Sequence, residues 1–218
     1  MKKEKFLEYS SWLVCIIPFI AYILYYSELP NKIPNHWNIE GNVDSYVTKG
    51  ITIFILPLLP FFINALMKYI PKIDPKKNNF AQFIFSFLAF RLGMCIFFTI
   101  MCLAILYSQI NPETNLIALI MPTLIGLLFA MIGLAIPYFK PNYMAGIRTP
   151  WTLADETVWE KTHKISGTVW LYGGIVMALS GLLIKDYFVV VTVMISSVLI
   201  LTIIPIMYSF IIFKKLHK

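Results

Sequence analysis

Apolar residues in this chain come in long blocks, not in the narrow stripes of a water-soluble helix. Six blocks predict helices over residues 11–27, 51–70, 80–107, 116–136, 167–184 and 187–213, with polar segments between them. Apolar runs near or above about 18 residues with few charges predict membrane-crossing helices. Pro57 and Pro60 predict a kink in the second helix, and Pro205 predicts one in the sixth. The third block is too long for an ordinary crossing at a rise of about 1.5 Å per residue. Either residues 80–90 form an interfacial elbow or the helix projects beyond the bilayer. Gly173, Gly174 and Gly181 suit close helix packing in the fifth.

The polar connections are unequal. Residues 27–50, SELPNKIPNHWNIEGNVDSYVTKG, are rich in proline, asparagine and glycine, and predict an irregular loop. Residues 71–79 and 109–115 are short. In the connection 138–166, residues 155–165 predict a separate amphipathic helix with Thr152 as its N-cap. The fold class is therefore all-α: a multi-pass membrane protein with six transmembrane helices. It divides into an N-terminal membrane region, 1–110, and a C-terminal one, 111–218.

Composition agrees with this class. Hydrophobic residues make up 59% of the chain and charged residues 13%, against about 25% charge in a typical soluble domain. The net charge of +7 does not indicate nucleic-acid binding, because no basic helix or stacking surface accompanies it. With both ends in the cytoplasm, fifteen of the eighteen Lys and Arg residues fall on the inner side, leaving Lys32, Lys49 and Lys185 outside. That is the positive-inside bias, and it predicts anionic membrane lipids as partners. The opening MKKEK and the apolar run after it resemble a signal peptide without a small-residue cleavage site, so this segment reads as a retained first helix. Cys15, Cys95 and Cys102 lie in apolar segments and read as small packing residues, not as a disulfide or zinc framework.

Few residues carry candidate chemistry. Arg91 falls inside the third block, where a charged side chain is a functional candidate by default. No carboxylate lies in any predicted span to pair with it, which favours snorkelling to the headgroups. Asn64 reads as interhelical glue. His36, Glu40 and Asp44 are spaced four apart, but Pro34, Asn38 and Gly41 disfavour the helix that a metal site would need. Glu156, Glu160 and His163 would share one face of the amphipathic helix, without a HExxH arrangement. Trp151 and Trp159 read as interfacial anchors. No nucleophile elbow, phosphate loop or dinucleotide fingerprint occurs, so neither an enzyme nor a cofactor is indicated.

Two longer motifs point further. IPNHWNIEGNVDSYVTK resembles the signature of a bacterial membrane domain of unknown function usually numbered 1648, through Pro34, His36, Trp37, Asn38, Gly41, Asp44 and Lys49. NYMAGIRTPWTLADETVWEKTHKISG resembles the hallmark of the SdpI family of immunity proteins. The matching positions include Asn142, Gly146, Ile147, Arg148, Thr149, Pro150, Trp151, Thr152, Trp159, Thr162, His163 and Gly167. The resemblance implies a bacterial cell membrane setting, protection against a secreted, membrane-active killing peptide, and a receptor role in which a cytoplasmic repressor is held at the membrane. His36 and Trp37 would then meet the peptide outside, and Arg148 would belong to a cytoplasmic latch. A small transporter or exporter is the alternative, consistent with the intramembrane prolines.

Overall fold

The computed structural model describes residues 2–38, 42–50, 55–114 and 116–217. Its elements are α1 (Lys2–Leu24), β1 (Lys32–Trp37), β2 (Val43–Thr48), α2 (Leu58–Ile73), α3 (Lys77–Phe80), α4 (Ile84–Ile110), α5 (Leu116–Ala135), α6 (Pro150–Ala154), α7 (Glu156–Leu183) and α8 (Tyr187–Leu216). Five described helices are long and apolar enough to cross a membrane: α1, α4, α5 with the turn after it, α7 and α8. The lipid-facing character is visible in the many large apolar side chains left exposed along them. The second predicted span is not among the five. Its residues 51–54 lie outside the described set, and α2 itself has 16 residues.

Several expectations are corrected. Helix α1 begins at Lys2 and carries Glu4 and Glu8 on its first turns. The expected kink is a break: a turn at Leu56 and Pro57 separates the helical residue Ile55 from α2. Pro57 occupies the N-cap of α2, where its missing N–H is of least consequence. Residues 80–90 are not an elbow: the single turn α3 and the turn at 81–83 precede α4, which runs unbroken from Ile84. Phe80, Phe83 and Phe87 close this turn against Phe139 and Met67. The separate amphipathic helix does not exist: α7 is continuous from Glu156, and its N-cap is Asp155, which accepts from Val158 N–H at 2.9 Å. Thr152 instead occupies the third position of the capping box that opens α6.

Helices α5 and α7 form the most extensive helix pair, and glycine explains why. Gly126 and Gly133 recur every seven residues on α5, facing Gly167, Gly174 and Gly181 at the same interval on α7. A Cβ on Gly174 would stand 2.6 Å from the Gly126 carbonyl oxygen, so the backbones touch only because side chains are absent. Gly173 faces the other way, onto Leu201 of α8.

The prolines within the helices follow a second rule. Each removes the N–H that would have bonded the carbonyl four residues earlier, and lipid offers no replacement donor. Pro18 frees the Val14 carbonyl, which accepts from Thr99 Oγ1 of α4 at 3.2 Å. Pro205 frees the Leu201 carbonyl, which accepts from Trp170 Nε1 of α7 at 2.8 Å. Pro60 leaves the Leu56 carbonyl to Leu59 N–H and to the Cys102 thiol at 3.3 Å. The prolines thus fix which helix packs where. Trp170→Phe keeps the ring but strands the Leu201 carbonyl. It should cost about 1–2 kcal/mol, the upper part of the range for hydrogen bonds between helices in lipid, measured by unfolding titration in mixed micelles.

Candidate functional site

The two long polar connections sit at opposite ends of the bundle. Residues 27–50 are not an irregular loop: β1 and β2 form an antiparallel hairpin, pairing Lys32 with Thr48 and Ile33 with Val47. Register shifts on either side of His36 bend it. They bring His36 Nδ1 to 2.6 Å from Asp44 Oδ1 across the strands, both side chains being exposed. Asn38 closes the tip, its carboxamide oxygen accepting from Asn42 N–H at 2.9 Å. Trp37 is half-buried. Glu40 and Gly41 lie outside the described residues.

The hairpin is tied to the bundle from below. Ile33 and Leu29 are buried with Tyr22 of α1 and Leu106 of α4. Gln109 of α4 is fully buried, donates from Nε2 to the Pro34 carbonyl at 3.1 Å and accepts from the Tyr22 hydroxyl at 3.1 Å. Lys49 Nζ donates to the Leu29 carbonyl at 2.8 Å. Neither Tyr22 nor Gln109 stands out in the sequence, since one tyrosine and one amide at helix ends are unexceptional in a membrane protein.

At the other end, residues 139–155 fold over the start of α7. Trp159 is completely buried and donates from Nε1 to the Phe139 carbonyl at 2.7 Å, so it is a core fastening and not an interfacial anchor. His163 is also completely buried, stacked on the Trp159 ring at 4.0 Å, while Glu156 and Glu160, at neighbouring positions around the same helix, are exposed. Ile147 N–H points at His163 Nε2 at 3.1 Å, which requires a lone pair there. Nδ1 lies 2.8 Å from the Trp159 carbonyl, which requires a proton there. Only the neutral imidazole protonated on Nδ1 satisfies both.

Gly146 has φ +122°, and a Cβ there would stand 2.5 Å from His163 Nε2. Asn142 braces the same turn, donating to the Lys140 and Ala145 carbonyls and accepting from Met144 and Ala145 N–H. Thr149 caps α6 and its Oγ1 lies 3.1 Å from Ser209 Oγ on α8, with Pro150 in the first turn and Trp151 against Phe210 at 5.0 Å. Arg148 is exposed and donates from Nη1 to the Tyr143 carbonyl. The N-terminal region holds this loop too. Asp74, which is buried, accepts from Tyr143 N–H at 2.8 Å, and Asn79 donates to the Pro141 carbonyl at 2.7 Å. Sequence reasoning passed over both; an acid alone among the lysines of PKIDPKK was the available signal.

Arg91 does not snorkel. It is 2% exposed, donates from Nε to Asn64 Oδ1, and lies 5.6 Å from the Trp12 ring. It lies among charged residues of α1 and α2 at the end of the bundle that holds the N-terminus.

Among the described residues no group of three or more His, Cys, Asp and Glu side chains has the arrangement of a metal site.

The model of the SdpI/YfhL protein family matches residues 138–209, and that of the domain of unknown function DUF1648 matches residues 13–60. The chain is similar to the immunity protein SdpI of Bacillus subtilis (strain 168), with 31% identity over 208 residues that cover 95% of this chain and 96% of that protein. No solved structure matches the chain.

Proposed function

The chain belongs to the SdpI/YfhL protein family, and from that membership we propose that it protects its cell against a secreted, membrane-active killing peptide. The observation that carries this reading is the similarity to an immunity protein along nearly the whole length of both chains. The proposed setting is the bacterial cell membrane, with six crossings, the hairpin outside and both termini in the cytoplasm. The charge bias of the polar segments supports that orientation. An N-terminal unit, 1–110, would then present the hairpin, and a C-terminal unit, 111–218, the cytoplasmic loop.

Protection is by binding and not by chemistry. The peptide meets the face of the hairpin that carries His36, Trp37, Asn38 and Asp44. An exposed, partly aromatic surface held on a fixed scaffold supports recognition of this kind. The experiment is a dose–survival curve in peptide-sensitive cells. Expression of the protein should move the lethal dose upward, and a curve identical to that of cells with empty vector, at confirmed membrane insertion, would refute protection against that peptide. The transporter alternative drew on the intramembrane prolines. Three of their freed carbonyls, however, are bonded to neighbouring helices and are not open to a substrate.

A second role, as a receptor that holds a cytoplasmic repressor, draws on the loop at 139–155. This loop is fastened to α2, α7 and α8 at once, so a shift among those helices would move it. Arg148 is its exposed charge. Arg148→Ala should abolish repressor recruitment in a membrane co-sedimentation assay while leaving the survival curve in place. Undiminished recruitment would rule the latch out.

A further inference from the structure

A cleft of about 450 Å³ opens between α1, α2 and α4 at the end that holds the N-terminus. Its charged lining consists of Lys5, Lys68, Lys72 and Arg91 together with Glu4 and Glu8; below these the wall is apolar, including Met67, Phe87 and Leu88. Glu8 pairs with Lys68 at 3.2 Å. Among the described residues, four cations against two carboxylates give the lining a positive excess of two.

Arg91 makes this more than a basic patch. Its guanidinium is buried to 2% exposure and spends Nε on Asn64, yet Nη2 is buried with no hydrogen-bond partner among the described residues. A buried guanidinium with an unused donor is costly, and the remaining edge of its fork suits an oxyanion with several acceptors. Lysines at the rim and apolar side chains below match a molecule whose charged head lies above a hydrocarbon tail.

We propose that this cleft binds a phosphate oxyanion, carried by an anionic phospholipid, with Arg91 as its inner ligand and Lys68 and Lys72 at the rim. The site is independent of peptide recognition at the opposite end of the bundle.

The test uses the full chain purified in a neutral detergent, titrated separately with phosphatidylglycerol, with phosphatidylcholine of the same acyl chains, and with inorganic phosphate. Binding is read by native mass spectrometry and by the shift in Tm. Phosphatidylglycerol should bind at least about tenfold more tightly than phosphatidylcholine, a difference of about 1.4 kcal/mol. Arg91→Gln should remove that preference. Should Arg91→Gln fail to fold, the rim variant Lys68→Gln with Lys72→Gln should weaken phosphatidylglycerol binding by a similar factor. Inorganic phosphate that binds in an Arg91-dependent way without any lipid preference would keep the oxyanion site and assign it a soluble ligand. Equal binding of the two lipids with no response to phosphate, or a preference unchanged in the folded variants, would overturn the proposal.

Discussion

Gly146→Ala should destabilise the protein by roughly 2–6 kcal/mol, adding a backbone conformation that costs about 1–3 kcal/mol outside glycine to about 1–3 kcal/mol of overpacking. The new methyl group meets His163 Nε2 at 2.5 Å and the Trp159 ring at 3.2 Å, and both partners are completely buried with nowhere to retreat. To make room, the turn must withdraw Ile147 N–H from His163. The imidazole then has a buried, unpaired nitrogen, and the fastening between the loop and α7 is lost. The effect should therefore exceed simple overpacking. Unfolding titration in mixed micelles should show a lowered midpoint, and limited proteolysis should cut within 139–149 before any helix is cut. A midpoint unchanged from the parent would mean that the loop does not rest on His163.

Gln109→Leu should release the hairpin. The substitution keeps the volume but removes the donor to Pro34 and the acceptor of the Tyr22 hydroxyl. Two buried polar groups are left unsatisfied, at about 1–3 kcal/mol each. This loss is concentrated beneath β1 and β2, far from the glycine seam of α5 and α7. The helical bundle should therefore persist while the hairpin loses protection from amide hydrogen exchange. If the hairpin recognises the killing peptide, the survival curve of cells expressing Gln109→Leu should fall back towards that of unprotected cells at equal protein level. Gln109→Glu keeps an acceptor for Tyr22 but cannot donate to the Pro34 carbonyl when ionised, so it should resemble Gln109→Leu. A fully protected Gln109→Leu strain would separate hairpin order from immunity.

The sequence made the apolar helices readable because lipid demands long uninterrupted apolar runs with every backbone group bonded internally. Leu116–Ala135 and the Lys185-Asp186 break before Tyr187 lie close to their expected positions for that reason. The hairpin was hidden because its strands show no alternation. Pro34 lies within β1, the register shifts around His36, and burial comes from the bundle beneath, not from a second sheet. Ser166 and Gly167 looked like a boundary between two helices. They are instead the point where α7 presses against Pro137 and the Gly133 carbonyl, an intimacy no local pattern reveals. The partner of Arg91 is not legible in the sequence, because it is a neutral amide, Asn64, on another helix and not a carboxylate. The long motifs around His36 and Gly146 marked the two ends of the molecule correctly. The roles of their members depend on carbonyls and side chains far away in sequence, such as Phe139 for Trp159 and Ser209 for Thr149.

The most direct test of the central claim is membrane potential, followed with a voltage-sensitive dye in peptide-sensitive cells challenged with a killing peptide secreted by the same strain. Cells expressing the protein should hold their potential, and cells expressing His36→Ala with Trp37→Ala should lose it despite equal amounts of inserted protein. Collapse in cells carrying the intact protein would contradict immunity to that peptide. Full protection by the double variant would contradict recognition at the hairpin.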